Sequence, residues 1–199
     1  MRWSADQRDN GFRKTLLALI GFRTAGLVEK AGVSEDALLR FSGLLAGRNR
    51  NVSALTSMLC EFTGLPVHIE QFRRRWVALP LHEQSQLGQA SGLRLGQNST
   101  AGSAVEDMSG GFRVVIGPVA YADYLALTPG SKRLAEIFSL TRLFVGSALH
   151  FDVQVILKKE DIPFCRLGQS DAPARLGWNS WARVAPAQQD SADAVVTER

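Results

Sequence analysis

Apolar positions recur at every second residue between Phe151 and Leu157, where Phe151, Val153, Val155 and Leu157 alternate with Asp152 and Gln154. A period of two puts alternate side chains on one face, so this stretch predicts a half-buried strand. An earlier stretch with Leu65, Val67, His68, Ile69, Glu70 and Phe72 carries the same signal. A helical spacing precedes each strand. Leu55, Met58, Leu59 and Phe62 share one face, with Asn51 or Ser53 to cap the start and Gly64 to end the helix. Leu134, Ile137, Phe138 and Thr141 repeat that logic between Ser131 and Gly146. Both segments therefore predict amphipathic helices with polar N-caps and glycine C-termini.

Weaker patterns fill the remaining chain. Residues 12–28 read as helical but interrupted by Gly21 and Gly26, and Ser34 with Glu35 and Asp36 opens another helix leading into Phe41. Val105 to Asp107 and Phe112 to Ile116 flank Met108, Ser109, Gly110 and Gly111, which predicts a β-hairpin with a glycine turn. Gly117-Pro118 then stops the second strand. Ala, Gln, Asp and Ser dominate the end of the chain, so 183–199 is expected to be a disordered tail.

Two loops resemble each other. Residues 86–99 and 166–180 both read Leu-Gly-Gln, a spacer, then Arg-Leu-Gly-x-Asn-Ser, with one residue inserted in the second. The likeness extends outward through the strands and helices, and Phe41 to Arg48 answers to Tyr124 to Ser131, at an offset of about 80 residues. The expected organisation is α+β, two pseudo-repeated helix–strand–loop units with an intervening β-hairpin. The boundaries are an N-terminal helical segment at 1–33, a first unit at 34–100, the hairpin at 101–118, a second unit at 119–182 and the tail. Chance similarity between two ordinary helix–strand–loop units is the alternative reading.

Composition narrows the function classes. A chain of 199 residues with 45% hydrophobic content has enough apolar matter for a core. The net charge of +4 is spread over Arg48 with Arg50, Arg73 to Arg75, and Lys158 with Lys159, a weak footprint for a nucleic-acid-binding module. Cys60 and Cys165 lie in apolar stretches without a CxxC spacing, and read as small core residues in a reducing compartment. Arg8, Arg13 and Lys14 precede the apolar run 16–20, but Asp6 and Asp9 and the shortness of that run argue against a signal peptide. No stretch approaches the ~20 apolar residues of a membrane span, so a cytoplasmic protein without membrane insertion is expected.

Catalytic chemistry finds little support. His82-Glu83 lacks a second histidine four residues on, so two ligands cannot share a helical face for zinc. Gly177-Trp178-Asn179-Ser180-Trp181 replaces the closing glycine of a nucleophile elbow with tryptophan. Gly43 to Arg48 lacks the lysine and hydroxyl of a phosphate loop. Glu106-Asp107 and Glu160-Asp161 are sequence neighbours, which on a strand point to opposite faces. No catalytic residue, metal site or cofactor is expected. What stands out is apolar matter in glycine-rich loops: Leu87, Gly88, Leu95 and Gly96 in the first, and Leu167, Gly168, Leu176, Gly177, Trp178 and Trp181 in the second. Such side chains are either tucked back on the core or offered to a partner.

Taken in order, Phe41 to Ala46, Thr63 to Phe72 with Trp76, the Leu-Gly pairs at 87 and 95, Phe112-Arg113 with Ile116-Gly117-Pro118, 149–157, and the closing Leu176-Gly177-Trp178-Asn179-Ser180-Trp181 resemble the TssG family of type VI secretion baseplate subunits. The resemblance covers about residues 11–182. It implies a non-enzymatic adaptor that joins two copies of TssF in a wedge and docks TssK trimers through two protruding loops. TssE and the spike hub are further implied neighbours, at a baseplate docked to the inner membrane. Loops 87–96 and 167–177 are the expected partner loops. The resemblance also implies a shortened chain, because members of that family carry a sizeable segment ahead of the matched part; apolar faces left uncovered would then lower solubility.

Overall fold

A computed structural model describes residues 10–24, 26–85, 94–97, 99–164 and 175–197. The helices form where the caps and spacing place them. α1 (Asn10–Leu19) and α2 (Leu27–Lys30) are separated at Gly21 and Gly26, both at positive φ. In α3 (Glu35–Arg40) the Ser34 hydroxyl accepts from the Ala37 N–H. A short α4 (Ser42–Ala46) leads to α5 (Val52–Thr63), where the Asn51 side chain accepts from the Ala54 N–H at 2.7 Å and Gly64 closes in the left-handed conformation. α6 (Tyr121–Ala126) precedes α7 (Lys132–Val145), which is capped by Ser131 and ends at Gly146.

The strands among the described residues are β1 (Val67–Gln71), β2 (Arg75–Ala78), β3 (Ala104–Asp107), β4 (Gly111–Val119), β5 (His150–Leu157) and β6 (Ser191–Thr197). The main sheet has the order β1-β4-β5-β6. β1 is antiparallel to β4, β4 is parallel to β5 through the α6–α7 crossover, and β5 is antiparallel to β6. Leu55, Met58 and Leu59 of α5 and Leu134, Ile137, Leu140 and Phe144 of α7 join one core with Val114, Ile116, Val153, Val155 and Leu157 of the central strands. The Arg133 guanidinium also reaches the Thr63 carbonyl at 2.7 Å, tying the start of α7 to the end of α5. On the other face the directly paired Arg113 and Asp152 form a two-toothed ion pair at 2.6 and 2.7 Å. That contact raises the Arg113 pKa, chiefly through its hydrogen bond to Asp152.

The α+β class stands in the structure, with α5 ahead of β1 and α7 ahead of β5. Two expectations are corrected. The hairpin expected within 101–118 does not form, because β3 pairs with β2 and β4 pairs with β1 and β5. Asp107 turns the chain instead. Its Oδ1 accepts from the Ser109 and Gly110 N–H groups, and a Cβ at Gly111 would lie 2.6 Å from the Arg73 carbonyl oxygen. β1 with β2, and β3 with β4, thus make one bent ladder whose outer part, β2–β3, leaves the main sheet as a two-stranded ribbon. The second correction is the tail expected at 183–199, where residues 191–197 form strand β6 with Ala194 buried opposite Val155.

Candidate functional site

The two loops singled out by the sequence leave the fold at different places. The first connects β2 to β3 at the end of the ribbon. The second runs from the single helical turn at Lys159–Asp161 back toward β6. Leu87, Gly88, Leu167 and Gly168 fall outside the described residues. The Arg-Leu-Gly segments of both loops are described, and they fold alike.

In the first, the Gln97 N–H donates to the Arg94 carbonyl at 3.1 Å, and Gly96 lies at φ +80°. In the second, the Trp178 N–H donates to the Arg175 carbonyl at 3.1 Å, and Gly177 lies at φ +76°. A closing bond from the fourth residue to the first, with positive φ at the third position alone, defines a type II turn. Glycine is the residue suited to that third position, since it meets no Cβ clash there. The second position is leucine in both turns, and both leucines stand out in solvent: Leu95 is 96% exposed and Leu176 is 99% exposed.

Beyond the turn the two segments diverge. Trp178 is 7% exposed and stacks on Tyr124 with ring centroids 5.0 Å apart. The Tyr124 hydroxyl donates to the Trp178 carbonyl at 2.7 Å, and burial pushes the phenol pKa well above its ordinary value. Trp181 packs against the same ring and donates its indole N–H to Ser191 Oγ at 3.1 Å. Buried Asn179 accepts from the Arg175 N–H at 2.5 Å. Arg183 donates to the Ile162 carbonyl and lies over the Phe164 ring at 4.2 Å, so it joins the two sides of the loop base. Of the two readings left open for the loop residues, Trp178 is therefore tucked into the core and Trp181 half so, whereas Leu95 and Leu176 face outward. Alternation around glycine was the available signal: in Leu-Gly-Trp the turn sends its first side chain out and returns the third inward.

The enzyme-like elements gain no convergence. His82 is exposed beside Glu83, and Glu106 and Asp107 engage different arginines on the ribbon. Among the described residues no group of three or more His, Cys, Asp or Glu side chains is placed to hold a metal ion. An apolar cleft of about 190 Å3 lies between the start of α5 and the end of α7, rimmed by Phe72. A second cleft of about 330 Å3 is lined by Arg73, Arg74 and Arg75. Each of these arginines faces a carboxylate: Glu70 at 3.5 Å, Glu106 at 3.0 Å and Asp107 at 3.1 Å. That pairing neutralises the densest basic run and weakens the nucleic-acid reading. Asp107 is held at about 2, below its ordinary 3.8, by the Gly110 N–H first, then the Arg75 guanidinium and the Ser109 N–H. No described helix is long and apolar enough to cross a membrane.

Comparison with known proteins gives this arrangement a context. A chain of the cryo-electron microscopy structure of the type VI secretion system TssK-TssF-TssG baseplate subcomplex is similar with a TM-score of 0.73 and 17% identity, over 92% of this chain and 76% of that one. A chain of the baseplate complex from the type VI secretion system is similar with a TM-score of 0.65 and 17% identity, over 96% of this chain and 54% of that one. No curated protein matches the sequence. The family model described as "Type VI secretion, TssG" matches residues 2–183. With nearly its whole length inside that match, the chain belongs to the TssG family of type VI secretion proteins.

Proposed function

We propose that this chain is a structural subunit of a type VI secretion baseplate that holds its neighbours together through two copies of one leucine-bearing turn. The observation that carries the reading is the pair of Arg-Leu-Gly turns, alike in closing bond and glycine conformation, each presenting a fully exposed leucine. A leucine fixed on a hydrogen-bonded turn has little freedom left to lose on docking, and its burial in a partner removes apolar area from water. A fold that contains Trp178 in its core and leaves Leu176 in solvent two residues earlier separates support from contact.

The similar structure with TssK and TssF supplies the partner classes. In this reading the turns at 94–97 and 175–178, with Leu87, Gly88, Leu167 and Gly168 in the same loops, meet TssK trimers. The body of the chain joins two TssF copies, with TssE and the spike hub as further neighbours, in a baseplate docked at the inner membrane. A helix–strand–loop unit used twice would fit the need to engage one kind of partner twice.

The test is co-expression of the full chain with TssF and TssK from the same gene cluster, followed by size-exclusion chromatography. The wild-type chain is expected to elute with both. The double variant Leu95→Asp/Leu176→Asp should keep its circular dichroism spectrum and its TssF but lose TssK. Undiminished TssK in the double-variant peak would sink the assignment.

A further inference from the structure

The apolar cleft beside α5 is rimmed by a strained residue. Gln71 pairs with Phe112, a register that would set Phe72 opposite Gly111, yet the N–H that donates to the Gly111 carbonyl, at 2.9 Å, belongs to Arg73. Phe72 is thus the extra residue of a β-bulge, a device that re-aims a side chain. Its backbone sits at φ +58°, which a bulky residue adopts only under constraint, and its ring is 66% exposed at the rim of the cleft. Leu149 adds a second exposed apolar side chain to the lining, and its carbonyl is held by Arg142 at 2.7 Å. The core side chains Leu55, Ile69, Phe112 and Phe144 supply the buried part of the lining.

Charge decides what such a cleft accepts. Arg50 is the one charged residue among the described residues of the lining. Its guanidinium is fixed in place: it donates to the Leu44 and Leu45 carbonyls at 2.9 and 2.8 Å and lies over the Phe144 ring, 5.1 Å from the centroid. Carbonyl oxygens accept those bonds without cancelling the positive charge, so a carboxylate at the mouth is attracted. The volume of about 190 Å3 exceeds the ~150 Å3 of an apolar cavity that takes up a benzene ring. We infer that this cleft is a docking site for a partner protein segment that presents one aromatic side chain next to a carboxylate. It is a contact surface separate from the leucine turns. The exposed rim favours a protein over a small molecule, because Phe72 and Leu149 stay in solvent beside a ligand that fills the cleft alone. The strain at Phe72 then serves contact rather than folding.

The experiment titrates the isotopically labelled full chain with acetylated, amidated peptides and follows its amide resonances by NMR. The probes are Gly-Ser-Phe-Glu-Ser-Gly, its Phe-Gln and Ala-Glu relatives, and phenylacetate, which carries a ring and a carboxylate without a peptide. The Phe-Glu peptide should bind with a Kd of about 1 mM, the scale of a single anchor, and move the Val52, Ser109 and Leu149 amides. The Ala-Glu peptide should bind about tenfold more weakly or worse. The Phe-Gln peptide should lose about twofold to fivefold, the range of an exposed ion pair. Arg50→Gln should erase that last difference, which a purely structural Arg50 would leave intact. Phe72→Gly and Leu149→Glu should each weaken the Phe-Glu peptide by about fivefold or more, the first without lowering Tm. The inference is overturned by no saturable shift from the Phe-Glu peptide up to about 10 mM, by equal binding of the Phe-Glu and Ala-Glu peptides, by a preference for Glu over Gln that survives Arg50→Gln, or by wild-type binding in both rim variants. Phenylacetate that binds as tightly as the peptide would overturn it in favour of a small anion. Self-association of the full chain in sedimentation, lost in Phe72→Gly, would overturn it in favour of a second copy.

Discussion

Replacing Trp178 and replacing Leu176 should have opposite consequences, although the residues are two apart in one loop. Trp178 is packed on Tyr124 and its carbonyl receives the Tyr124 hydroxyl, so Trp178→Ala opens a cavity at the junction of α6 with the closing loop. Truncating a buried tryptophan costs about 3–5 kcal/mol. At about 2–4 °C per kcal/mol for a chain of this size, Tm should fall by roughly 6–20 °C. Trp178→Phe should be much milder, about 1–2 kcal/mol. It keeps an aromatic face against Tyr124 and removes an indole N–H that is buried with no hydrogen-bond partner. Leu176→Asp places a charge where the side chain is already fully in water, and should move stability by no more than about 0.5 kcal/mol. Thermal unfolding followed by far-ultraviolet circular dichroism reads all three without relying on tryptophan fluorescence. A Trp178→Ala protein that melts within about 2 °C of wild type would refute the placement of this side chain in the core. A Leu176→Asp protein as damaged as Trp178→Ala would refute the outward display of the leucine.

Three further outcomes follow from the same structure. Asp107 titrates at about 2 in the fold against 3.8 ordinarily, so its ionised form contributes stability above about pH 4 that is lost as pH falls toward 2. The Tm gap between wild type and Asp107→Asn should accordingly close across that window, and a gap that stays constant would contradict the assigned contacts. Phe72 holds φ +58° while 66% exposed, so Phe72→Gly should relieve strain and raise Tm by about 1–3 °C, against the usual cost of adding glycine. Ala194→Asp puts an unpaired charge in the buried contact between β6 and β5 and should cost about 2–4 kcal/mol in urea unfolding, whereas the same change in a disordered tail would be silent.

Features written in short-range patterns were legible in the sequence. Asn51 and Ser131 announce α5 and α7, Gly64 and Gly146 end them, and the alternation from Phe151 to Leu157 gives β5 its buried face. What depended on distant partners was not. β6 consists of Ser, Ala, Asp, Val and Thr without a large apolar residue, and it becomes a strand because the β5 edge offers a ladder on which small Ala194 fits beside Val155. The glycines at 110 and 111 look like a hairpin turn, yet the ladder partners of β3 and β4 lie far back in the chain, at Arg75–Ala78 and Val67–Gln71. The candidate site was legible in part for the same reason. The Arg-Leu-Gly spacing marks both turns, but the direction of Trp178 is decided by Tyr124, 54 residues away. Composition alone cannot tell an anchor in the core from an anchor in a partner.

The most direct test of the account is site-specific photo-crosslinking in the assembled complex. A photoreactive amino acid is placed at position 95, at position 176, or at the equally exposed but off-turn Val184, and each full chain is co-expressed with TssF and TssK. The account predicts crosslinks to TssK from 95 and 176 and none from 184. Crosslinks from 184 as strong as those from the turns, or none from either turn in an intact complex, would contradict it.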